Sequence, residues 1–241
     1  MNYDKIAEDY PHDAFYIKYV DEYTFFHLLG DITDMSILDI GCGRGEHSRL
    51  FKEKGAARVV GVDYSAEMLK FAQIAESRSP LGIEYRQIDM FVPQKIADFD
   101  LVVAFSVLSL APTREKLLNA CQTIIMNLKP GGRFITVGLN PEQDPETYPL
   151  SEKYGFKIWS SAPVEEGAVI RSSIPVDEQE IFFEDYYFTQ ATYEWALQTA
   201  GFQEIRWHDP VVSPEGLEIF GQAFWQDFIN YRMSIYLECV K

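Results

Sequence analysis

Short runs of apolar and β-branched residues alternate along the chain with segments whose apolar residues recur at helical spacing. The apolar runs predict buried parallel strands at residues 36–40, 58–63, 82–87, 99–105 and 133–137. Between them, a period of about 3.6 residues predicts helices at 45–54, 65–75 and 113–128. This order of elements predicts an α/β fold, a doubly wound and mostly parallel sheet with helices on both faces.

The segments around this alternation are predicted to belong to one domain over residues 1–241. It comprises a helical leader or lid (1–30), a core (35–139), an inserted lobe (140–188) and a C-terminal part (189–241). Helical spacing marks 3–10, 16–29 and 189–200, and apolar runs mark 168–173, 181–188, 202–207 and 234–240. The last two runs supply a sixth and a seventh strand. The acidic residues of the lobe, including Glu184 and Asp185, are predicted to form a solvated face.

Composition and charge narrow the classes of partner. The chain has 37 acidic and 21 basic residues, a net charge of -16, so phosphate backbones and anionic membranes are disfavoured as partners. Its 3 cysteines and 4 histidines lack the spacing of a disulfide framework or a metal site. No basic and apolar targeting segment opens the chain, which predicts a cytoplasmic protein. The expected oligomeric state is a monomer or a homodimer. The aromatic content of 15% suggests an aromatic pocket.

A glycine-rich turn at residues 39–45, DIGCGRG, follows the first predicted strand and leads directly into a helix. Glycines let a backbone turn sharply and approach a ligand, and a helix N-terminus offers unpaired N–H groups. A dinucleotide fold would need a third glycine where this chain has Glu46. Asp63 ends the second strand, where a carboxylate can accept both hydroxyls of a ribose. Asp89 ends the third strand, within reach of an exocyclic amine.

Four motifs resemble, in order and spacing, those of class I S-adenosylmethionine-dependent methyltransferases. They lie at residues 38–45, 61–65, 88–90 and 128–133. The resemblance implies a seven-stranded Rossmann-like sheet that binds S-adenosylmethionine and yields S-adenosylhomocysteine. It implies a ribose on Asp63, an adenine between Tyr64 and Met90, and Asp39 bound to the cofactor amine through water or bracing the loop. The cofactor-binding candidates are Tyr3, Tyr10, Asp39, Gly41, Cys42, Gly43, Asp63, Tyr64, Met68, Asp89, Met90, Ser106 and Val107.

The leader residues Tyr3, Asp4, Ala7 and Tyr10 look like the start of small-molecule methyltransferases, in which an N-terminal helix closes over the cofactor. Residues 22–90, 127–137 and 193–216 are together similar to toxoflavin synthase and related azapteridine N-methyltransferases. This resemblance implies methyl transfer by in-line displacement to a nitrogen of a planar or heterocyclic metabolite. The acceptor-binding candidates are Phe15, Tyr16, Tyr19, Trp159, Tyr187 and Trp207.

Other functions stay open at this point. A small-molecule O-methyltransferase would need a base, for which His12 and His27 are the candidates, although no catalytic residue is certain. A nicotinamide-dependent oxidoreductase is disfavoured by Glu46 and by the lack of a Tyr-x-x-x-Lys pair. A nucleic-acid amino-methyltransferase is disfavoured because residues 105–108 read FSVL rather than Asn/Asp-Pro-Pro-aromatic. A non-catalytic module that binds the cofactor as a ligand is a further alternative.

Overall fold

A central sheet organises the structure, a computed structural model that describes residues 3–8, 10–11, 14–176 and 179–241. Within these residues the strands are β1 (Ser36–Ile40), β2 (Arg58–Asp63), β3 (Glu84–Gln87), β4 (Phe99–Phe105), β5 (Leu128–Leu139), β6 (Lys157–Ser160), β7 (Val169–Val176), β8 (Gln179–Tyr186), β9 (Glu204–His208) and β10 (Ser234–Val240). The α-helices are α1 (Tyr23–Leu29), α2 (Glu46–Glu53), α3 (Ala66–Arg78), α4 (Arg114–Met126), α5 (Gln190–Ala200), α6 (Pro214–Phe220) and α7 (Gln222–Asn230).

The sheet has seven strands in the spatial order β3-β2-β1-β4-β5-β10-β9. The first five are parallel, and β10 runs antiparallel to both β5 and β9. The predicted doubly wound, seven-stranded and mostly parallel sheet is therefore confirmed. Strand order reverses between β1 and β4, where the following loops diverge and open a crevice at the carboxyl ends of the strands.

Helices cover both faces of the sheet, because neighbouring strand residues point to opposite sides. Ile37 packs with Phe25 and Leu29 of α1, whereas the adjacent Leu38 belongs to a core with Leu117 of α4. Burial of both faces explains why the strands are continuous apolar runs rather than alternating ones.

The leader differs from its prediction. A short 3₁₀ turn, Tyr3–Lys5, stands where a helix over 3–10 was predicted. The second leader helix contains a π-helical segment, Ile17–Glu22, that continues into α1. Here tertiary contacts override the helical spacing of the sequence, since Asp4 bonds to α3 instead of continuing a helix.

The inserted lobe begins with a 3₁₀ segment, Pro145–Tyr154, and continues as an antiparallel sheet in the order β6-β7-β8. Register places Ile170 opposite Asp185 and Ser172 opposite Phe183, so these four side chains share one face of the lobe sheet. After α5 and β9, the sequence analysis did not predict α6 and α7. Their rings pack with the leader around the buried Trp225.

Candidate active site

The turn between β1 and α2 forms a loop with three left-handed glycines. The φ angles of Gly41, Gly43 and Gly45 are +71°, +54° and +84°, a region that residues with a Cβ rarely adopt. The N–H groups of Gly41 and Cys42 donate to the Val62 carbonyl at 2.7 and 3.0 Å, which fixes the loop to β2. A Cβ at Gly43 would meet no atom within 4 Å. The loop therefore leaves its backbone open at Gly43.

The rest of the loop is packed against the protein. A Cβ at Gly41 would lie 2.5 Å from the Val107 side chain, and a Cβ on Gly61 would lie 2.9 Å from the Cys42 sulfur. The Cys42 side chain is thus directed at β2, and burial raises the pKa of its thiol. Cys42 can offer its backbone to a ligand, while its thiol belongs to the core.

Asp63, at the end of β2, holds the loop from the side. Its Oδ2 accepts the Gly43 N–H at 2.8 Å, and its Oδ1 accepts the Ser65 N–H at 2.8 Å. Burial raises the pKa of Asp63, and the N–H groups of Ser65 and Gly43 act in the opposite direction. A carboxylate has about four acceptor sites, so Asp63 can accept a further donor, such as a ribose hydroxyl, beside the N–H groups of Gly43, Ser65 and Tyr64.

Asp39 lies beneath the loop and is only 2% exposed. Its Oδ2 accepts the Ser48 hydroxyl at 2.5 Å, which ties β1 to α2. Burial raises its pKa to about 6. These contacts favour a bracing role for Asp39 over direct contact with a ligand.

The residues predicted to hold an adenine line the ends of β2 and β3. Tyr64 is 73% exposed, whereas Met68 and Met90 are buried. The Ile88 N–H donates to the Asp63 carbonyl at 2.9 Å, which brings the two strand ends together. Asp89 accepts the Phe91 N–H at 2.8 Å and forms a turn there. The structure thus gathers these side chains beside Asp63.

Ser106 occupies the first position after β4, across the crevice from the glycine loop. Its φ of +56° lies in the left-handed region, although it carries a side chain. Its N–H donates to the Val137 carbonyl at 3.0 Å. Such strained positions concentrate at ligand sites.

The leader closes this crevice through polar contacts with the core. Asp4 Oδ1 accepts the Ser65 hydroxyl at 2.5 Å and the Glu67 N–H at 3.3 Å, which caps α3 beside Asp63. The Ser65 bond is the main cause that lowers the pKa of Asp4. A guanidinium nitrogen of Arg44, within the glycine loop, donates to the Glu8 carbonyl at 3.2 Å. The leader is therefore bound to both ligand-facing segments.

We expect backbone amides of the described leader residues 3–8 to exchange more slowly when the cofactor is bound, because these contacts join the leader to the site. Asp4→Ala should abolish that protection by removing the cap on α3. Glu8→Ala is the matched control, since Glu8 contributes its backbone carbonyl. Equal exchange with and without cofactor in the unaltered protein would show a static leader instead.

A cavity of about 140 Å³ lies under the leader at the carboxyl ends of β4 and β5. The leader contributes Tyr3, Tyr10, Pro11, Tyr16, Ile17 and Asp21; the sheet and the 3₁₀ turn after β4 contribute Phe105, Ser106, Ser109, Val137, Gly138 and Leu139. The remaining walls are Phe156, Ser172, Ile174, Phe183, Asp185, Phe228, Met233 and Ser234. The lobe face described above is therefore one wall of the cavity.

Asp185 reaches this cavity from β8. Its Oδ1 accepts the Ser109 hydroxyl at 2.6 Å, and burial raises its pKa to about 6. Burial also raises the pKa of Tyr10 to about 12, with further contributions from Asp63, Glu46 and Asp185. Asp185 shares the inner face of the lobe sheet with Phe183, whose ring meets that of Tyr10 edge to face at 5.9 Å, so Asp185 lies on the side of the cavity that Tyr10 covers.

Asp21 enters the same cavity from the π-helical segment and is 6% exposed. It accepts the Tyr236 hydroxyl at 2.9 Å. Burial is the largest effect on its pKa, which rises to about 6 despite hydrogen bonds from Ser234 and Tyr236.

We expect Asp21→Asn to raise the free energy of unfolding at pH 7.5. The folded pKa of about 6 exceeds the ordinary 3.8, so the contribution of Asp21 to stability is full below pH 3.8 and is lost as pH rises through 6. A gain of about 1–2 kcal/mol is expected at pH 7.5 and a smaller one at pH 5, from denaturant unfolding. Exposed Asp98→Asn is the control and should show no gain. A gain independent of pH would contradict this assignment.

The structure brings only part of the predicted acceptor-binding set to the main cavity. Tyr16 lines it and packs on Phe156 with ring centroids 4.4 Å apart. Tyr187 lines a neighbouring cavity of about 20 Å³, which Asp185 also lines. Trp207 lines a third, of about 30 Å³, and its indole N–H donates to Glu194.

The other predicted acceptor-binding side chains have packing roles. Phe15 stacks on Phe220 at 5.3 Å and Tyr19 contacts the same ring at 5.7 Å. Trp159 contacts the exposed Phe182 on the lobe. Phe15 and Tyr19 belong to a core that the aromatic rings between leader, lobe and α6–α7 form, and a role of these three residues in acceptor binding stays a prediction.

His27 is exposed in the last turn of α1, stacks on Tyr23, and does not line the main cavity. Its role as a base therefore stays a prediction. His12 lies outside the described residues.

Asp21, Ser109 and Asp185 were not predicted from the sequence as site residues, and Asp185 was expected to lie on a solvated face. A signal was present for Asp185, because Ile181, Phe183 and Asp185 alternate along β8. Ile181 is buried and Phe183 lines the cavity, so the period of two places Asp185 on the inner face. The assignment to a solvated face is wrong.

Within the described part of the chain, no helix is long and apolar enough to cross a membrane. The same residues contain no cluster of three or more side chains suited to bind a metal ion.

The strand order, the open glycine loop and the carboxylate at the end of β2 resemble those of class I S-adenosylmethionine-dependent methyltransferases. Residues 38–136 match the family described as "Methyltransferase domain". The match covers less than half of the chain, and S-adenosylmethionine is the cofactor of that class.

Curated relatives match about half of the chain. The chain is 30% identical over 131 residues to a ubiquinone biosynthesis O-methyltransferase of Acinetobacter baylyi, covering 52% of this chain and 51% of that protein. A protein of the same name from Idiomarina loihiensis is 35% identical over 106 residues, covering 43% of this chain and 42% of its own. The chain thus spans about half the length of the curated relatives it matches.

Solved structures share the fold over more of the chain. An S-adenosylmethionine-dependent methyltransferase from Mesorhizobium loti has a TM-score of 0.64 at 20% identity, covering 91% of this chain and 96% of that chain. A cofactor-bound amino pentose methyltransferase from Micromonospora echinaspora has a TM-score of 0.57 at 19% identity, covering 86% and 84%. At these identities the likeness concerns the fold alone.

Proposed function

We propose that this protein transfers the methyl group of S-adenosylmethionine to a nitrogen of a small-molecule acceptor. One observation carries the proposal: Ser106 lines the cavity at the ends of β4 and β5, and the next residue, Val107, lies against the glycine loop, where a Cβ at Gly41 would be 2.5 Å from its side chain. A cofactor held by Gly43 and Asp63 would direct its sulfonium group toward that cavity.

The cavity supports in-line displacement by a bound acceptor. A nucleophile fixed opposite the sulfonium needs alignment and surroundings that tolerate a developing cation. The tyrosine and phenylalanine faces of the walls supply such surroundings. Enclosure by the leader and the lobe suits a small metabolite.

A nitrogen acceptor fits the walls better than a hydroxyl does. A hydroxyl needs a base to take its proton during attack, and His27, the described histidine considered for that role, stands away from the main cavity. The relatives named above are O-methyltransferases, but their similarity concerns about half of each chain. An oxygen acceptor with an aspartate as base is therefore the second candidate. The finer likeness to azapteridine N-methyltransferases is part of the proposal.

Calorimetry tests the cofactor part of the proposal. We expect S-adenosylmethionine and S-adenosylhomocysteine to bind at one site per chain and to compete with each other. NAD⁺ should not bind, because Glu46 stands where a dinucleotide needs a glycine. Binding of NAD⁺, or of neither cofactor form, would contradict the proposed function.

A further inference from the structure

The described walls of the cavity include the carboxyl groups of Asp21 and Asp185 and contain no lysine, arginine or histidine. Asp21 is buried and Asp185 is partly buried, and their described hydrogen-bond partners are uncharged hydroxyl groups. A buried carboxylate with neutral partners is costly, and a bound cation reduces that cost.

The aromatic rings around these carboxyl groups favour the same kind of ligand. Tyr3, Tyr10 and Tyr16 lie on the leader side, and Phe183 lies beside Asp185 on the inner face of the lobe sheet. Tyr10 meets the Phe183 ring edge to face at 5.9 Å. Aromatic faces attract ammonium groups through their quadrupole and do not donate to or neutralise a carboxylate.

The two carboxyl groups lie at different places in the cavity. Asp185 accepts a hydrogen bond from Ser109, three residues beyond Ser106 at the end of β4, and lies beside Phe183, whose ring meets that of Tyr10, which in turn contacts Tyr3 of the leader. Asp21 lies on the far side and already accepts hydrogen bonds from Tyr236 and Ser234. Asp185 is thus the carboxyl group nearer to a cofactor held by Asp63, and it has the larger unused capacity to accept hydrogen bonds.

Resting on the proposed function, we propose that the acceptor is an amine that binds as its ammonium ion, with Asp185 as the carboxylate that receives it. The ammonium N–H donates to Asp185, which takes one proton and leaves a neutral amine. The amine lone pair then forms the new N–C bond as the C–S bond breaks, and the electron pair of that bond stays on sulfur. The products are the N-methylated ammonium ion, S-adenosylhomocysteine and a protonated Asp185, which returns its proton to solvent.

Burial makes this proton transfer feasible. The transfer converts an ion pair into two neutral groups, which a poorly hydrated cavity favours over separated charges. The raised pKa of Asp185 reflects the same effect in the empty cavity. Ser109 holds Oδ1, so Oδ2 is the oxygen available to the acceptor.

Binding of the cofactor and of two related ligands tests whether an ammonium group binds at Asp185. The experiment does not require the acceptor to be known. S-adenosylhomocysteine has a neutral sulfur, S-adenosylmethionine has a sulfonium, and sinefungin has an ammonium group where the transferable methyl stands. By calorimetry at pH 7.5, the unaltered protein should bind sinefungin at least tenfold more tightly than S-adenosylhomocysteine. Asp185→Asn should remove that preference and change the affinities for the other two less than threefold. The matched control Asp21→Asn should retain the preference.

A pH series on the unaltered protein provides the second arm, in case Asp185→Asn does not fold. The ratio of sinefungin to S-adenosylhomocysteine affinity should fall as pH drops below about 6, because a protonated Asp185 no longer attracts an ammonium group. Among the residues that the structure describes, the titratable groups that face Asp185 are Tyr3, Tyr10, Tyr16 and Tyr193, whose pKa values burial raises, so they stay neutral. Asp21, Asp39 and Asp63 are other carboxyl groups that can titrate in this range. If Asp21→Asn retains the pH effect, Asp21 is excluded as its source.

Several outcomes would overturn the inference. These are a sinefungin preference that is absent from the unaltered protein, one that survives Asp185→Asn, or one that does not vary with pH. Equal loss of S-adenosylmethionine and sinefungin in Asp185→Asn would assign the carboxylate to the sulfonium instead. Failure of all three analogues to bind the unaltered protein is a different result, because it contradicts the proposed function itself.

Discussion

Gly43→Val should weaken S-adenosylmethionine binding by about 100-fold or more, equivalent to about 3 kcal/mol, while the protein stays folded. The position next to Gly43 is empty, since a Cβ there meets nothing within 4 Å. A valine side chain would occupy the space through which the cofactor must approach the loop backbone. It would also disturb the Gly43 N–H that donates to Asp63. Calorimetric titration measures the loss.

Gly82→Val separates this effect from backbone strain. Gly82 has a φ of +79°, and a Cβ there also meets nothing within 4 Å. Both variants force a β-branched residue into the left-handed region, at a cost of about 1–3 kcal/mol of stability. Thermal unfolding should therefore shift similarly in both, and only Gly43→Val should lose the cofactor. Unchanged affinity in Gly43→Val would refute the placement of the cofactor on this loop.

Asp63→Ala should reduce the free energy of cofactor binding by about 2–4 kcal/mol. The truncation removes the charged acceptor for two ribose hydroxyls. It also releases the N–H groups of Gly43 and Ser65, which leaves the loop less ordered. S-adenosylmethionine and S-adenosylhomocysteine share the ribose, so their affinities should fall by the same factor.

Asp89→Ala is the matched control for that change, since Asp89 ends the neighbouring strand. Asp89 forms a local turn with Phe91, and the edge of an adenine offers it one amine rather than two hydroxyls. Its loss should therefore cost less than that of Asp63. If Asp89→Ala lost more cofactor affinity than Asp63→Ala, Asp89 would be the residue that binds the ribose and Asp63 the one near the adenine. A loss restricted to S-adenosylmethionine in Asp63→Ala would place Asp63 near the sulfur.

The sheet was predictable because its strands are buried on both faces and are separated by strong turn residues. The core strands lie close to their predicted positions, and 234–240 matches β10. The prediction for β5 was too short, since Pro130 and the two following glycines indicate a break. In the structure, Gly131 and Gly132 exchange backbone hydrogen bonds with Lys241. Such pairing with the far end of the chain leaves no local pattern.

The cofactor side of the site was more predictable than the acceptor side. Gly41, Gly43 and Asp63 lie in one βαβ unit, so their spacing alone brings them together. The acceptor cavity instead draws on segments that are distant in sequence, such as those of Asp21 and Asp185. Aromatic content misled the prediction, because Trp225 and many other rings serve the packing of the leader on α6 and α7.

Most of the described cavity walls come from segments outside residues 38–136, and this bears on how acceptor specificity can change. Of these walls, Phe105, Ser106 and Ser109 fall within residues 38–136, the stretch shared with the methyltransferase family. The others come from the leader, the end of β5, the lobe and the last part of the chain. If the proposed function holds, mutation in the lobe or the last part of the chain can exchange one acceptor for another while the glycine loop and Asp63 stay intact. Acceptor choice can thus evolve as a module separate from methyl donation, and kinship across the shared stretch predicts the donor far better than the acceptor.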